Sequence, residues 1–196
     1  MPSTTLLIYL HGLNSSAASK KATVLRETLG CGDLVTPTYP AHRPDDAVAM
    51  LRGIIAAAIG KRPADTATML LGSSMGGFYA QYLARRFPVA HVVMINPALR
   101  PWELLPNHFG PQVTATGEHY MLTPELVDAC RRYAVHDPCG GPPTTLLIDK
   151  MDEVIDYRIA VEMYRRCGRI HLFEGGSHAF EHMDQALTII RQLCND

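Results

Sequence analysis

A serine flanked by glycines is the first candidate for chemistry in this chain. Residues 72–76 read Gly-Ser-Ser-Met-Gly, which fits the pattern G-x-S-x-G, between the apolar run "TATMLL" and a segment with helical periodicity. This pattern is typical of a tight strand-to-helix turn that exposes a serine hydroxyl at its tip. The third position of the pattern projects from the turn, so it selects Ser74, whereas Ser73 is expected to point back into the fold. The alternative is a glycine-rich turn in which Ser74 only caps a helix.

A nucleophilic serine needs a base to accept its proton. Among nine histidines, His178 is the candidate, because "EGGSHAF" lies between the last predicted strand and the last predicted helix. His182 follows four residues later, a spacing that two metal ligands can have on one helix face. No third histidine or carboxylate stands at a suitable spacing, so we expect no metal site.

The base in turn needs a carboxylate that fixes its tautomer and stabilises the imidazolium. The loop after "TTLLID" offers several acidic residues. Asp152 is favoured because it lies in the loop proper, while Asp149 still belongs to the strand end and Asp156 is placed to cap the next helix. Asp149 and Glu153 remain alternatives.

Acyl transfer also needs two backbone N–H groups aimed at the oxyanion. Met75 directly follows the serine and supplies one of them. The loop "HGLNSS" after the first strand makes Leu13 the candidate for the other. Two more residues of this loop, His11 and Asn14, are the candidate substrate contacts, although an ordinary strand-ending turn at His11-Gly12 is the alternative.

These loops must be held by alternating strands and helices. The sequence predicts six short strands, at "TTLLIYL", "DLVTP", "TATMLL", "HVVMIN", "TTLLID" and "RIHLFE". Helical periodicity predicts helices over 19–29, from 45 through 59, and over 76–86, 156–167 and 181–193. This alternation is typical of a mostly parallel α/β sheet with helices on both faces. Residues 97–143 differ, because they are rich in Pro, Gly and His and show one helix, 124–133, capped by Thr123. They are interpreted as a short lid-like insertion into a single domain spanning 1–196, with a surface excursion as the alternative.

Composition limits the class of protein. The 196 residues are 47% hydrophobic and 19% charged, with a formal net charge of -1, so no basic field for nucleic acid is expected. No stretch is a membrane span, and "MPSTTLLIYLHG" has no positively charged start typical of a signal peptide. The five cysteines form an odd set without a C-x-x-C pair, which favours free thiols in a reducing cytosol over a disulfide framework or a metal site.

Together, "YLHGLNSS", "GSSMGGFYA", "NPALRPWELL", "DEVIDYR" and "EGGSHAF" give the chain a family resemblance along nearly its whole length. It resembles the small bacterial YqiA-like esterases of the α/β-hydrolase superfamily, in a minimal version without the first two strands of larger members. The resemblance implies a cytoplasmic serine esterase without a cofactor, with Ser74 as nucleophile, Asp152 as acid and His178 as base. It also draws attention to Arg100, at the entrance to the insertion, as a pocket or lid-anchoring residue, with a solvated surface charge as the alternative.

We therefore expect hydrolysis of small carboxylic esters with short-to-medium acyl chains. An acyl thioesterase using the same three residues is the first alternative, and a non-catalytic binding module with a hydrolase fold is the second. The oligomeric state is open, with a homodimer as one option.

Overall fold

The computed structural model describes residues 5–195 and contains a six-stranded sheet in which every neighbouring pair is parallel. The strands are β1 (Thr5–Leu10), β2 (Gly32–Val35), β3 (Thr68–Ser73), β4 (His91–Ile95), β7 (Thr144–Asp149) and β8 (Gly168–Phe173). Their order across the sheet is β2-β1-β3-β4-β7-β8. The predicted parallel sheet of six strands is confirmed. Thr4, which the sequence places in the first strand, lies outside the described residues.

Seven α-helices lie between and beside these strands in the described part of the chain. They are α1 (Lys20–Thr28), α2 (Pro44–Gly60), α3 (Met75–Leu83), α4 (Pro101–Leu104), α5 (Pro124–Ala129), α6 (Tyr157–Tyr164) and α7 (Met183–Asn195). The Thr123 hydroxyl and the Asp156 carboxylate each accept a backbone N–H at the start of the following helix, as predicted. Across residues 5–195, no helix is both long and apolar enough to cross a bilayer.

Each face of the sheet carries its own hydrophobic core, because successive side chains of a strand point to opposite faces. On β1, Leu6, Ile8 and Leu10 pack with α2, α3 and α6. Leu7 and Tyr9 point the other way and pack with α1 and α7. Since both faces are covered, strands β1, β3 and β7 are buried along their whole length, and side chains accessible to a ligand lie in the loops at the strand ends.

The 97–143 segment is more structured than its composition suggests. It contains α4, α5 and an antiparallel hairpin of β5 (Gly110–Val113) and β6 (His119–Leu122). The predicted helix 124–133 ends at Ala129 and continues as a 3-10 helix over Cys130–Tyr133. The hairpin escapes prediction because its strands are four residues long and largely solvent-exposed, so they lack an apolar pattern.

The prediction of free thiols is wrong for four of the five cysteines. Disulfides join Cys31 to Cys194 and Cys139 to Cys167, with Cα atoms 6.1 and 5.3 Å apart, while Cys130 is free and buried. The sequence hides these pairs because the first joins residues 163 positions apart in the chain. Burial raises the pKa of the Cys130 thiol to about 12, so this cysteine is protonated near neutral pH.

Candidate active site

The turn from β3 into α3 holds Ser74 in a conformation that side-chain-bearing residues rarely adopt. Its φ is 53° and its ψ is -122°. The Ser74 N–H donates to the carbonyl oxygen of Ile95 at 3.1 Å, and the Ser74 carbonyl accepts from the N–H groups of Gly77 at 2.9 Å and Ala98 at 3.1 Å. These bonds offset the local strain, and strain of this kind is concentrated at functional sites.

Two glycines of the motif are required by close backbone contacts. A Cβ on Gly72 would lie 2.3 Å from the carbonyl oxygen of Gly76, and a Cβ on Gly76 would lie 1.9 Å from that of Leu10. Helix α3 therefore begins directly against the ends of β1 and β3. Gly12, in the loop after β1, approaches the serine from the other side, where a Cβ would lie 3.2 Å from that of Ser74.

The two adjacent serines differ in their surroundings. Ser73 is 3% exposed, and its side chain hydrogen-bonds with the Tyr9 hydroxyl, whose pKa is raised to about 12 by burial. Ser74 is half-buried and lines a cavity of about 360 Å³. Ser74 is the serine whose surroundings suit a nucleophile.

His178 is held by the loop that follows β7. Its Nδ1–H donates to Asp152 Oδ2 at 2.9 Å, which leaves Nε2 as the nitrogen able to accept a proton. The Asp152 side chain is 2% exposed, and its Oδ1 accepts the N–H groups of Val154 and Ile155, each at 2.9 Å. The backbone N–H of His178 donates to Glu153 Oε2 at 3.0 Å. Of the acidic residues in this loop, Asp152 is the one that contacts the His178 ring.

The cavity beside Ser74 brings together most of the predicted residues. His178, Leu13 and Met75 line it together with Ser74. Its walls include apolar side chains from the insertion and from the loop after β7, namely Leu104, Leu105 and Val154. Ser74 Oγ makes no hydrogen bond to His178 among the described residues; such contacts are often long before substrate binds.

Two residues that line this cavity have unpaired backbone N–H groups. Neither the Leu13 N–H nor the Met75 N–H has an acceptor within residues 5–195. Met75 is the first residue of α3, where the N–H groups of a helix lack internal partners and the helix dipole favours negative charge. Both groups are therefore available as hydrogen-bond donors.

The structure places His11 behind the loop and not in the cavity, contrary to expectation. Its side chain is 1% exposed and stacks on Tyr39 with ring centroids 4.3 Å apart. Its Nδ1–H donates to the Gly12 carbonyl at 2.8 Å, and its Nε2 accepts the Tyr39 N–H at 3.2 Å. Burial lowers the His11 pKa, so the ring is a neutral support for the loop.

Arg100 also lies outside this cavity. It pairs with Glu103 at 3.5 Å and lines a neighbouring cavity of about 160 Å³. The two cavities share Leu104 and Val154 as lining residues. Arg100 thus lies at the start of the insertion, as its position in the sequence indicates, but not beside Ser74.

Asn14 lines the cavity and also fastens the hairpin to the loop after β1. Its Nδ2 donates to Gln112 Oε1 at 3.0 Å, and its Oδ1 accepts the Tyr120 hydroxyl at 2.7 Å. Its carbonyl oxygen accepts the Ala115 N–H at 2.9 Å. Asn14 has a φ of 54°, a left-handed conformation that asparagine tolerates better than most residues.

Sequence reasoning missed Lys21, which lines the same cavity. Its Nζ donates to the carbonyl oxygen of Ala179, the residue after His178, at 2.8 Å. Burial lowers the Lys21 pKa, and the charges of Asp152 and Asp149 partly offset this shift. A lysine on a surface helix carries no sequence signal for such a contact.

Metal binding has no support in this site. Within residues 5–195, no three His, Cys, Asp or Glu side chains are grouped so that they could hold a metal ion. The i, i+4 pair of His178 and His182 is divided between two carboxylates, Asp152 and Asp149.

Comparison with known proteins gives one family match and several structural ones. The model of an uncharacterised protein family, UPF0227, matches residues 6–195. Est1E from Butyrivibrio proteoclasticus is 18% identical with a TM-score of 0.73, over 100% of this chain and 87% of that chain. Mouse alpha/beta hydrolase domain-containing protein 10 is 15% identical with a TM-score of 0.72, over 98% and 90%. The monoacylglycerol lipase of Paleococcus ferrophilus is 15% identical with a TM-score of 0.71, over 98% and 96%. At these identities the structural likeness is evidence for a shared fold.

Proposed function

Because the chain belongs to the uncharacterised protein family UPF0227 and has the α/β-hydrolase fold, we propose that it is a serine esterase that forms an acyl-enzyme on Ser74. One observation carries the proposal. The strained Ser74, the Asp152-bound His178 and two residues with unpaired backbone N–H groups, Leu13 and Met75, all line one cavity. A binding module has no need of this combination.

The proposed reaction begins when His178 Nε2 takes the proton of Ser74 Oγ, which attacks the carbonyl carbon of the ester. The carbonyl oxygen becomes an anion and accepts hydrogen bonds from the N–H groups of Leu13 and Met75. As the C–O bond to the alcohol breaks, His178 passes its proton to the leaving oxygen. A water molecule then attacks the acyl carbon while His178 takes its proton. The C–O bond to Ser74 breaks, His178 returns the proton to Ser74 Oγ, and the carboxylic acid is released.

Asp152 stabilises the imidazolium that forms in both steps. Its carboxylate is fixed by two backbone N–H groups, so little reorganisation is needed when His178 becomes charged. Loss of such a carboxylate costs about 10⁴-fold in kcat in a well-studied serine protease. Each oxyanion donor contributes about 3 kcal/mol of barrier lowering.

The proposed substrates are small esters with short-to-medium acyl chains. The cavity of about 360 Å³ has an apolar wall of Leu104, Leu105 and Val154, which suits a hydrocarbon chain. Thioesters present the same carbonyl to the same serine, so an acyl thioesterase is the alternative within this proposal.

The test is hydrolysis of 4-nitrophenyl esters and acyl thioesters of two to eight acyl carbons, with Ser73→Ala as the matched control for Ser74→Ala. We expect Ser74→Ala to abolish turnover and labelling by a fluorophosphonate, and Ser73→Ala to keep both. Equal turnover by the parent and Ser74→Ala would refute Ser74 as the nucleophile, and no turnover by either would favour the binding module. Label on Ser73 would refute the assignment of the nucleophile.

Location and assembly remain part of this proposal. The two disulfides weigh against the cytoplasmic prediction, because disulfides persist mainly in oxidising compartments. Cell fractionation decides the location, and light scattering decides between a monomer and the homodimer.

A further inference from the structure

A second Asp–His pair lies directly behind the first. Asp149, the last residue of β7, is 0% exposed, and its Oδ1 accepts the Nδ1–H of His182 at 2.6 Å. Its Oδ2 accepts the backbone N–H groups of Ser177 at 3.3 Å and Glu181 at 2.7 Å. These two donors lie on either side of His178 in the chain.

The loop that carries His178 is shaped around this carboxylate. Gly175 and Gly176 both have a φ of 75°, and a Cβ on Gly176 would lie 2.0 Å from Asp149 Oδ2. The Asn96 side chain also connects the end of β7 to the loop that carries His178. Its Oδ1 accepts the Asp149 N–H and its Nδ2 donates to the Ser177 carbonyl, both at 2.9 Å.

His182 is the remaining hydrogen-bond partner of the Asp149 carboxylate. A buried carboxylate is costly unless it is fully hydrogen-bonded or paired with a cation. The His182 ring stacks on Phe173, with centroids 4.8 Å apart and planes 11° apart, so its orientation is fixed independently of Asp149. Its side chain is 24% exposed, which makes it replaceable without opening the core.

We propose that Asp149 and His182 are positioning residues that hold the His178 loop in register with Asp152. This inference rests on the proposed function of Ser74 and His178. The pair does not touch the substrate cavity; it acts through the backbone of residues 177–181. Misplacing a reacting group by about 1 Å costs on the order of 100-fold in rate, so loosening this loop lowers kcat much more than it changes KM.

The test compares His182→Ala with His182→Asn, because an asparagine amide can donate to Asp149 from nearly the place of Nδ1. His136→Ala, at an exposed site, is the matched control. On a 4-nitrophenyl ester we expect His182→Ala to lower kcat and the fluorophosphonate labelling rate about 10- to 100-fold, with KM within about twofold. In His182→Asn, the decrease in the logarithm of kcat and of the labelling rate should be at most half of that in His182→Ala. His136→Ala should have the kcat and labelling rate of the parent.

A purely structural pair would give a different result: His182→Ala would lower the melting temperature while the folded protein kept the parent's kcat and labelling rate. That outcome overturns the proposal, as does His182→Asn behaving like His182→Ala. A readout independent of activity is the downfield NMR signal of the His178 Nδ1 proton, which should broaden or shift in His182→Ala only. If the parent hydrolyses no ester or thioester, the proposed function fails, and this signal still decides whether the pair positions His178.

Discussion

Gly12→Ala tests whether close contact between the loop after β1 and the nucleophile sets the rate. The added Cβ would lie 3.2 Å from Ser74 Cβ, 3.4 Å from the Ser73 carbonyl oxygen and 3.6 Å from Ser74 Oγ. Carbon atoms prefer a separation of about 3.5–4.0 Å, so the methyl group displaces its neighbour by about 0.3–0.8 Å. At about 100-fold for each 1 Å of misplacement, kcat should fall about 4- to 40-fold.

We expect the Gly12→Ala variant to fold. Gly12 does not have a positive φ, so alanine can adopt its backbone conformation, and alanine also restricts the unfolded chain. Gly53→Ala is the matched control, because nothing lies within 4 Å of a Cβ at that helical position. It should leave kcat unchanged and raise stability by about 0.5–1 kcal/mol. Gly76→Ala should fail to fold, because its Cβ would lie 1.9 Å from the carbonyl oxygen of Leu10.

The assay is steady-state hydrolysis of 4-nitrophenyl butyrate, with the fraction of active protein set by fluorophosphonate titration and folding followed by thermal melting. A Gly12→Ala variant that melts like the parent and keeps its kcat would contradict a rate effect of this contact. So would a Gly53→Ala variant that loses as much activity as Gly12→Ala, because the loss would then not come from contact with Ser74.

The structure also predicts how pH, the shape of the cavity and a disulfide affect the protein. Burial lowers the His11 pKa below its unfolded value of about 6.5, so the unfolded chain binds the proton first and stability should fall as pH drops from 6.5 toward the folded pKa. Melting curves between pH 8 and 5 measure this, and His11→Asn should flatten the slope. Val154 lines both cavities, so Val154→Phe should narrow the space for an acyl chain. We expect kcat/KM to fall about 10-fold or more for the octanoate ester and to stay unchanged for the acetate ester. An equal loss on both esters would contradict this prediction. Cys31→Ser removes a disulfide between residues that are 163 positions apart in the chain. Loss of this cross-link should lower the free energy of unfolding, measured with denaturant, by about 5 kcal/mol, because the unfolded chain gains entropy. The variant and the parent should not differ once both are reduced.

The sequence located best the residues whose placement depends on local order. Ser74 needs only its flanking glycines and the strand and helix on either side, and all of these are contiguous in the chain. His178 and Asp152 each follow a recognisable strand, and parallel strands bring their ends to one edge of the sheet. The fold and the neighbourhood of these three residues were therefore predictable.

The residues that the sequence misjudged depend on contacts between distant segments. His11 stands in a promising loop, but its environment is set by Tyr39, 28 residues away. The Cys31–Cys194 pair joins the turn before β2 to the last helix. By contrast, the sequence favoured Asp152 over Asp149 and Glu153 by its position in the loop alone, because periodicity does not encode side-chain directions at a strand end.

Asn14 couples the position of the hairpin to the position of the Leu13 N–H. It is the chain neighbour of Leu13, the proposed oxyanion donor, and it binds the hairpin through its carbonyl oxygen and both ends of its side chain. Any displacement of the hairpin is therefore transmitted through one peptide unit to that donor. If Leu13 is the oxyanion donor that we propose, a change in the hairpin that admits a new substrate would also change the turnover number, so we expect substrate selectivity and rate to change together.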